Sequence, residues 1–444
     1  MSAGGTVTIG GSTVSGPPQR SAGTYFPALD GYRALAALSV VVFHSLAYTA
    51  PDRHWFSPYT RALGGAGVAL FFVLSGFLLY RPFVLAYLGA GSAPRLRSFY
   101  TRRLFRIFPA YWVALAVLMA FGLAQMNTHD IGTVVTYASL TQNYRGQLWV
   151  LGGLFVAWTL CLELSFYLAL PLVAWTIRTL GSRVQGIKGR VRFQVLALTA
   201  LYLATIGYRV VNVMYLPSLA AQRAWLWGFF DYFTLGMLFA TWSASFELGQ
   251  RLPQILAMLA RWPAVSLFFA AEFYFLEMRV GNPGLFEPVS NTQLILQQVM
   301  FGLAVAFLLL PGAFGPPLQG WWRRALASRP MTLLGLVSFG IYLWHPIWVL
   351  AIGRLISRNQ YPNGFWTMIL PVLVLTIACA TLSYLIVEAP SIRLGRRVEQ
   401  RLTGSGKPQD GQIVGLRDAP PVAASAPVAS SAAASSASTA ASHV

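Results

Sequence analysis

The stretch Gly31-Tyr-Arg-Ala-Leu-Ala-Ala-Leu-Ser-Val-Val-Val-Phe-His-Ser45 carries two ionisable side chains, Arg33 and His44, and nothing charged between them. Wound as a helix at roughly 3.6 residues per turn, that spacing is about three turns, so both side chains share one face about 16 Å apart. A cation at the edge of an apolar span and an imidazole deep inside it are costly to bury. Ionisable groups in such places are functional by default. The stretch therefore places the chain in a membrane and marks where chemistry is expected.

The rest of the chain fits that environment. Of its 444 residues 56% are hydrophobic and only 10% are charged, and the mean hydropathy is +0.57. A bundle of spanning helices has this composition; a soluble globular protein of this size does not. The net charge of +19 could suit nucleic acid, but the basic residues fall in short loops between apolar segments, so a nucleic-acid partner is set aside. All of the 32 basic residues except Lys188 and Lys407 are arginines. Cys161 and Cys379 both fall within expected spans, against a structural disulfide or a cysteine-based metal site. Residues 1–24 lack a basic segment leading into a short apolar core; they read as a disordered tail, with the first apolar run retained.

Ten candidate spans follow, at about 33–50, 64–88, 107–125, 149–177, 194–213, 225–243, 255–277, 293–312, 333–353 and 366–387. The apolar segment 131–140 is too short to cross and reads as re-entrant or interfacial. Four loops are rich in Arg and Lys: 89–106, 178–193, 313–332 and the segment after the last span. With ten spans all four lie on one side, and the positive-inside rule puts both termini in the cytoplasm. The expectation is an all-α integral membrane protein, a bundle of about ten transmembrane helices in the cytoplasmic membrane. One membrane domain covers 25–398, and the Ala-, Ser- and Pro-rich segment 399–444 is a disordered tail.

Depth along each span, at about 1.5 Å per residue, sorts the polar residues into layers. His44, Ser75 in Phe71-Phe-Val-Leu-Ser-Gly-Phe77, Glu163 in Trp158-Thr-Leu-Cys-Leu-Glu-Leu-Ser-Phe-Tyr167 and His345 in Ser338-Phe-Gly-Ile-Tyr-Leu-Trp-His-Pro346 fall near mid-membrane. Asp30, Arg33, Arg102, Arg103, Arg106 and Glu388 fall at the cytoplasmic edge. Each has an ordinary alternative. His44 could be interhelical glue, Glu163 a structural carboxyl, and His345 the filler of a kink at Pro346. Ser75 is expected to bond its own helix backbone, while Gly76 lets helices approach. The arginines could serve topology alone or grip phosphate bidentately.

Several chemistries find no support. The chain has no Gly-x-x-x-x-Gly-Lys-Ser/Thr loop, no Gly-x-Ser-x-Gly elbow, and no His-Glu-x-x-His pair or close His–carboxylate pair for a catalytic metal. A permanently bound cofactor is not expected either.

At these residues the chain resembles the acyltransferase 3 family of bacterial integral-membrane O-acyltransferases. The resemblance runs through Leu29-Asp-Gly-Tyr-Arg-Ala-Leu-Ala-Ala-Leu to His44 and through Gly65-Ala-Gly-Val-Ala-Leu-Phe-Phe-Val-Leu-Ser-Gly-Phe-Leu-Leu79. It continues in Tyr100-Thr-Arg-Arg-Leu-Phe-Arg-Ile-Phe-Pro-Ala-Tyr111 and in Trp158 to Tyr167, then in Leu334 to Pro346 and Ser383-Tyr-Leu-Ile-Val-Glu-Ala-Pro390. These six motifs span about residues 25–398 in the family's order. Thr159 replaces a usual Ser, and Phe339 a usual Tyr. The sequence is similar to stand-alone members without the fused SGNH-type domain.

The resemblance implies transfer of an acyl group, often acetyl, from acyl-CoA to a hydroxyl of a sugar, glycolipid, polysaccharide or small natural product. Acetyl-CoA or another acyl-CoA is then the co-substrate, and the partners are that acceptor and the lipid bilayer. Arg33, Arg103 and Arg106 would hold the CoA phosphates. His44 would act as base or acyl carrier, with Glu163 and His345 completing the catalytic group. Asp30, Ser75 and Glu388 would support them, Glu388 by pairing with a cytoplasmic Arg. A transporter or flippase of a lipid-linked saccharide could use the same polar layer, although no inverted repeat is visible.

Overall fold

A computed structural model describes residues 26–49, 57–124, 126–280, 289–314, 320–359 and 364–403. Its elements are helices: α1 (Pro27–Ala47), α2 (Ser57–Leu88), α3 (Leu96–Ala120), α4 (Ile131–Ala138), α5 (Trp158–Leu180), α6 (Ile187–Tyr215), α7 (Phe230–Glu247), α8 (Gln254–Arg261), α9 (Pro263–Arg279), α10 (Asn291–Phe314), α11 (Trp321–Leu326), α12 (Arg329–Leu336), α13 (Ser338–Asn359), α14 (Gly364–Ser383) and α15 (Ala389–Thr403). A π turn, Tyr384–Glu388, joins the last two. The expected tail at 1–24 and nearly all of that at 399–444 lie outside the described residues, and α15 runs on to Thr403, past the 398 boundary.

Among the described residues, seven stretches are long and apolar enough to cross a bilayer, and eight if α8 and α9 form one broken span. The chain is an all-α integral membrane protein. The ten expected segments match ten helical units when α8 and α9 count as one. Of these, α1 and α7 do not qualify on length and apolarity: α1 holds Asp30, Arg33 and His44, and α7 is 18 residues with Asp231 and Glu247.

Several expected segments differ in detail. The third begins at Leu96 rather than 107, so Arg102, Arg103 and Arg106 lie on α3 and not in a loop. The ninth begins at Ser338, after the separate α12. The seventh is not one straight span, because α8 and α9 meet at 99°. Pro263 starts α9, and the residue before a proline is pushed out of the helical region. The fourth begins at Trp158 rather than 149; Gly146 and Gly153 take left-handed backbone (φ 123° and 63°) just before it. The sixth begins at Phe230, after a 3₁₀ turn over Leu226–Gly228. Segment 131–140 is the eight-residue α4, capped by Asp130 accepting from the Gly132 and Thr133 amides.

The centre of the bundle is set by close backbone contact. A Cβ on Gly76 of α2 would lie 2.1 Å from the Phe233 carbonyl oxygen of α7, and one on Gly236 would lie 2.0 Å from that of Val73. Glycine at both positions lets α2 and α7 touch along their backbones, as small residues do between membrane helices. A buried ion pair between Arg81 and Glu247 ties the same two helices. On the other side α1 is locked in place. Tyr32 donates to the Leu308 carbonyl at 2.5 Å and accepts from the Trp322 indole at 2.9 Å. Gly335 of α12 lies against the Asp30 carbonyl. These contacts fix the rotation of α1, and hence where Arg33 and His44 point.

Candidate active site

His44 and His345, 301 positions apart in the sequence, meet directly: His345 Nε2 lies 3.2 Å from His44 Nδ1, with ring centroids 5.2 Å apart. Each Nδ1 also faces a carbonyl one turn back on its own helix, Val40 at 3.0 Å for His44 and Ile341 at 3.1 Å for His345. A carbonyl oxygen only accepts, so each Nδ1 carries a proton when the rings are neutral. His345 Nε2 is then an acceptor. It shares the His44 Nδ1–H with the Val40 carbonyl. His44 Nε2 keeps its lone pair, with no hydrogen bond to a described residue. Two helices thus fix which nitrogen of His44 is basic. His345 also reaches the Tyr342 carbonyl, the one that Pro346 leaves without a backbone donor, so it fills the kink and orients His44 at once.

The pair is walled by aromatic rings. Phe43 and Phe155 pack edge-on against His44 at 4.8 and 5.0 Å, and Tyr342 packs against His345 at 5.7 Å. His345 is fully buried, whereas His44 is half-buried.

Next to the pair lies a partly open cavity whose polar wall holds Arg33, Arg106, Ser75, Glu163, Tyr167 and Thr159. Glu163 Oε1 accepts from Tyr167, one turn along α5, at 2.5 Å and from Ser75 of α2 at 3.1 Å. Ser75 therefore bonds across helices, not to its own backbone as the sequence reading expected; the Gly76 contact brings α2 deep enough into the bundle for its hydroxyl to reach α5. Arg103 lies over the Tyr167 ring at 5.8 Å, and its Nε is buried without a partner. Neither Arg33 nor Arg106 makes a hydrogen bond or ion pair with a described residue. Arg33, Arg103 and Arg106 thus gather near Glu163, with Asp30 also acting on Arg33 and Glu388 on Arg106. Guanidinium groups without an ion pair to a described residue suit a bidentate anion.

The arrangement divides what the sequence placed in one layer. His44 and His345 meet, but Ser75 and Glu163 belong with the arginines, and neither histidine lines the cavity. Among the described residues, Glu388 does not form the expected ion pair with a cytoplasmic Arg. Glu388 sits buried in the π turn with Oε1 unpartnered, and the field of Arg106 reaches it without contact. The extra residue of a π turn shifts the side chain off the regular helix face. Arg102, beside the cluster in sequence, turns away to pair with Glu399 of α15 at 3.1 Å. Asp30 lies one turn before Arg33 and acts on it electrostatically. Tyr167 and Tyr342 also belong to the two groups, outside the residues expected from the sequence. Their signal was present: Tyr167 is four residues from Glu163, and Tyr342 three from His345, each on the same helix face.

The chain is similar to bacterial O-acetyltransferases. Its 28% identity to YrhL of Bacillus subtilis (strain 168), whose name carries a provisional peptidoglycan O-acetyltransferase assignment, covers 82% of this chain and 55% of that protein. Identity to the O-acetyltransferase OatA of Staphylococcus aureus (strain NCTC 8325 / PS 47) is 25%, over 84% of this chain and 58% of that protein. The chain thus spans a little over half the length of these relatives. No solved structure matches it. The acyltransferase 3 profile, described as an acyltransferase domain, matches residues 26–387, which hold both the histidine pair and the arginine cavity; the chain belongs to this family.

Proposed function

We propose that this protein is a membrane O-acyltransferase that moves an acyl group from cytoplasmic acyl-CoA to a hydroxyl of a saccharide, glycolipid or related acceptor. Acetyl is the first candidate, because its relatives are named O-acetyltransferases. In this reading the protein sits in the plasma membrane with ten crossings and both termini in the cytoplasm. Residues 25–398 form the acyltransferase domain, flanked by disordered tails. The observation that carries the proposal is the His44–His345 contact, which leaves His44 Nε2 as a defined base beside a cationic cavity.

The arginine cavity suits the donor. Arg33, Arg103 and Arg106 make no ion pair with a described residue, and the phosphates of CoA would give them bidentate partners. Ser75 and Tyr167 hold Glu163 in place, so the field of the carboxylate acts on the arginines from a fixed position. At the histidines, His44 Nε2 takes the proton of the acceptor hydroxyl. The oxygen attacks the thioester carbonyl, the C–S bond breaks, and the departing CoA thiolate takes the proton back. As the imidazolium forms, the His44 Nδ1–H bond to His345 strengthens. The alternative route, with His44 Nε2 carrying the acyl group, uses the same lone pair. The apolar wall of Phe43, Phe155 and Tyr342 keeps water from the thioester.

Purified His44→Ala should lose acyl-CoA-dependent transfer by about 10²- to 10⁴-fold, the usual range for a general base. Normal turnover would remove His44 from the chemistry. The double variant Arg103→Ala, Arg106→Ala should raise the KM for acyl-CoA more than it lowers stability, and an unchanged KM would return the arginines to a topological role. Consumption of acyl-CoA with an ester product separates this enzyme from a flippase, which moves its substrate unmodified.

A further inference from the structure

We infer that Tyr342 is a specificity-determining gate between the donor cavity and the histidine pair, and that it sets the length of acyl chain the protein transfers; the inference rests on the acyltransferase reading. Tyr342 lines the cavity that holds Arg33, Arg106 and Glu163. It also packs against His345, with ring centroids 5.7 Å apart. Phe71 lines the same cavity and meets Tyr342 edge-on at 5.6 Å. One phenol ring therefore forms the partition, with the arginines on one side and the histidines on the other.

The ring is latched. Its hydroxyl donates to the Val156 carbonyl at 3.0 Å and lies 2.6 Å from Thr159 Oγ1. Thr159 itself bonds the same carbonyl at 3.0 Å. A buried tyrosine hydroxyl requires partners, and here the partners hold the ring in one position. The latch point is next to Phe155, which packs on both histidines. A thioester in the cavity reaches His44 only when this ring turns aside. The space it vacates is about that of the ring itself, bounded by Phe71, and a short acyl group fits where a long chain does not. Until the donor arrives, the closed ring shields the base from the wet side of the cavity.

The test uses the full-length protein in nanodiscs and follows CoA thiol release from acetyl-CoA, butyryl-CoA and octanoyl-CoA. The wild type should strongly prefer acetyl-CoA. Tyr342→Ala should raise the octanoyl-to-acetyl ratio of kcat/KM by about tenfold or more, the scale set by methylene-sized space in an apolar pocket. Tyr342→Phe keeps the ring and should keep the wild-type ratio. A folded Tyr342→Ala with the wild-type ratio overturns the gate. If that variant does not fold, Phe71→Ala opens the same partition from the other side, and an unchanged ratio there overturns it equally. Thiol release by the wild type from none of the three donors would instead remove the acyltransferase reading, and the gate with it.

Discussion

Replacing His345 by leucine keeps the volume of the ring but deletes the acceptor that faces His44. The size of the effect follows from the geometry. His44 Nδ1–H retains the Val40 carbonyl at 3.0 Å, so it is not orphaned in the neutral enzyme. The Tyr342 carbonyl, by contrast, loses its histidine partner, which should cost the resting protein about 1–3 kcal/mol of stability. The loss of rate falls where His44 becomes an imidazolium, because hydrogen bonds to charged groups are worth about 1.5–3 kcal/mol. At about 1.4 kcal/mol per decade, kcat should fall by about 10- to 100-fold. The KM for acyl-CoA should stay near the wild-type value, since Arg33 and Arg106 line a cavity that neither histidine enters. Initial rates of thiol release from acetyl-CoA, measured on reconstituted protein across donor concentration, separate the two parameters. His345→Gln offers an amide oxygen in place of Nε2 and should recover part of the loss. If leucine leaves kcat unchanged, or if glutamine is no better than leucine, His345 does not act by accepting from His44.

Two further outcomes test the packing around the site. Gly76→Ala places a methyl group 2.1 Å from the Phe233 carbonyl oxygen, and forcing α2 from α7 should cost about 1–3 kcal/mol or more. Gly207→Ala, whose Cβ meets nothing within 4 Å, should stabilise its helix by up to about 1 kcal/mol. Thermal unfolding in one detergent compares the pair, and equal melting points would refute the close contact of α2 and α7. Glu399→Ala removes the partly exposed partner of Arg102 and should cost less than about 1 kcal/mol. It should leave the KM for acyl-CoA unaltered, whereas a rise would bring Arg102 into the donor site.

Much of the architecture was legible in the sequence because the bilayer is a demanding solvent. Backbone groups there must be satisfied within each segment, so an apolar run long enough to cross becomes a helix. Departures occurred where local chemistry overrode apolarity, at Pro263, at Gly146 and Gly153, and in the π turn before Ala389. The site was legible in its members but not in its grouping. Depth along separate spans put Ser75, Glu163, His44 and His345 in one layer, yet depth says nothing about which way a helix is rotated.

The sequence by itself determined that this is a helical membrane protein. It also set Arg33 and His44 about three turns apart on one helix face, and Tyr167 within reach of Glu163, because helical periodicity is local. Tertiary structure alone decided that His345 meets His44, that Glu163 joins the arginines, and that Tyr342 stands between the two groups. Those outcomes depend on the rotation and separation of neighbouring helices. Contacts between distant residues set these, such as Gly76 against Phe233 and Tyr32 against Leu308, and no periodicity within one helix encodes them.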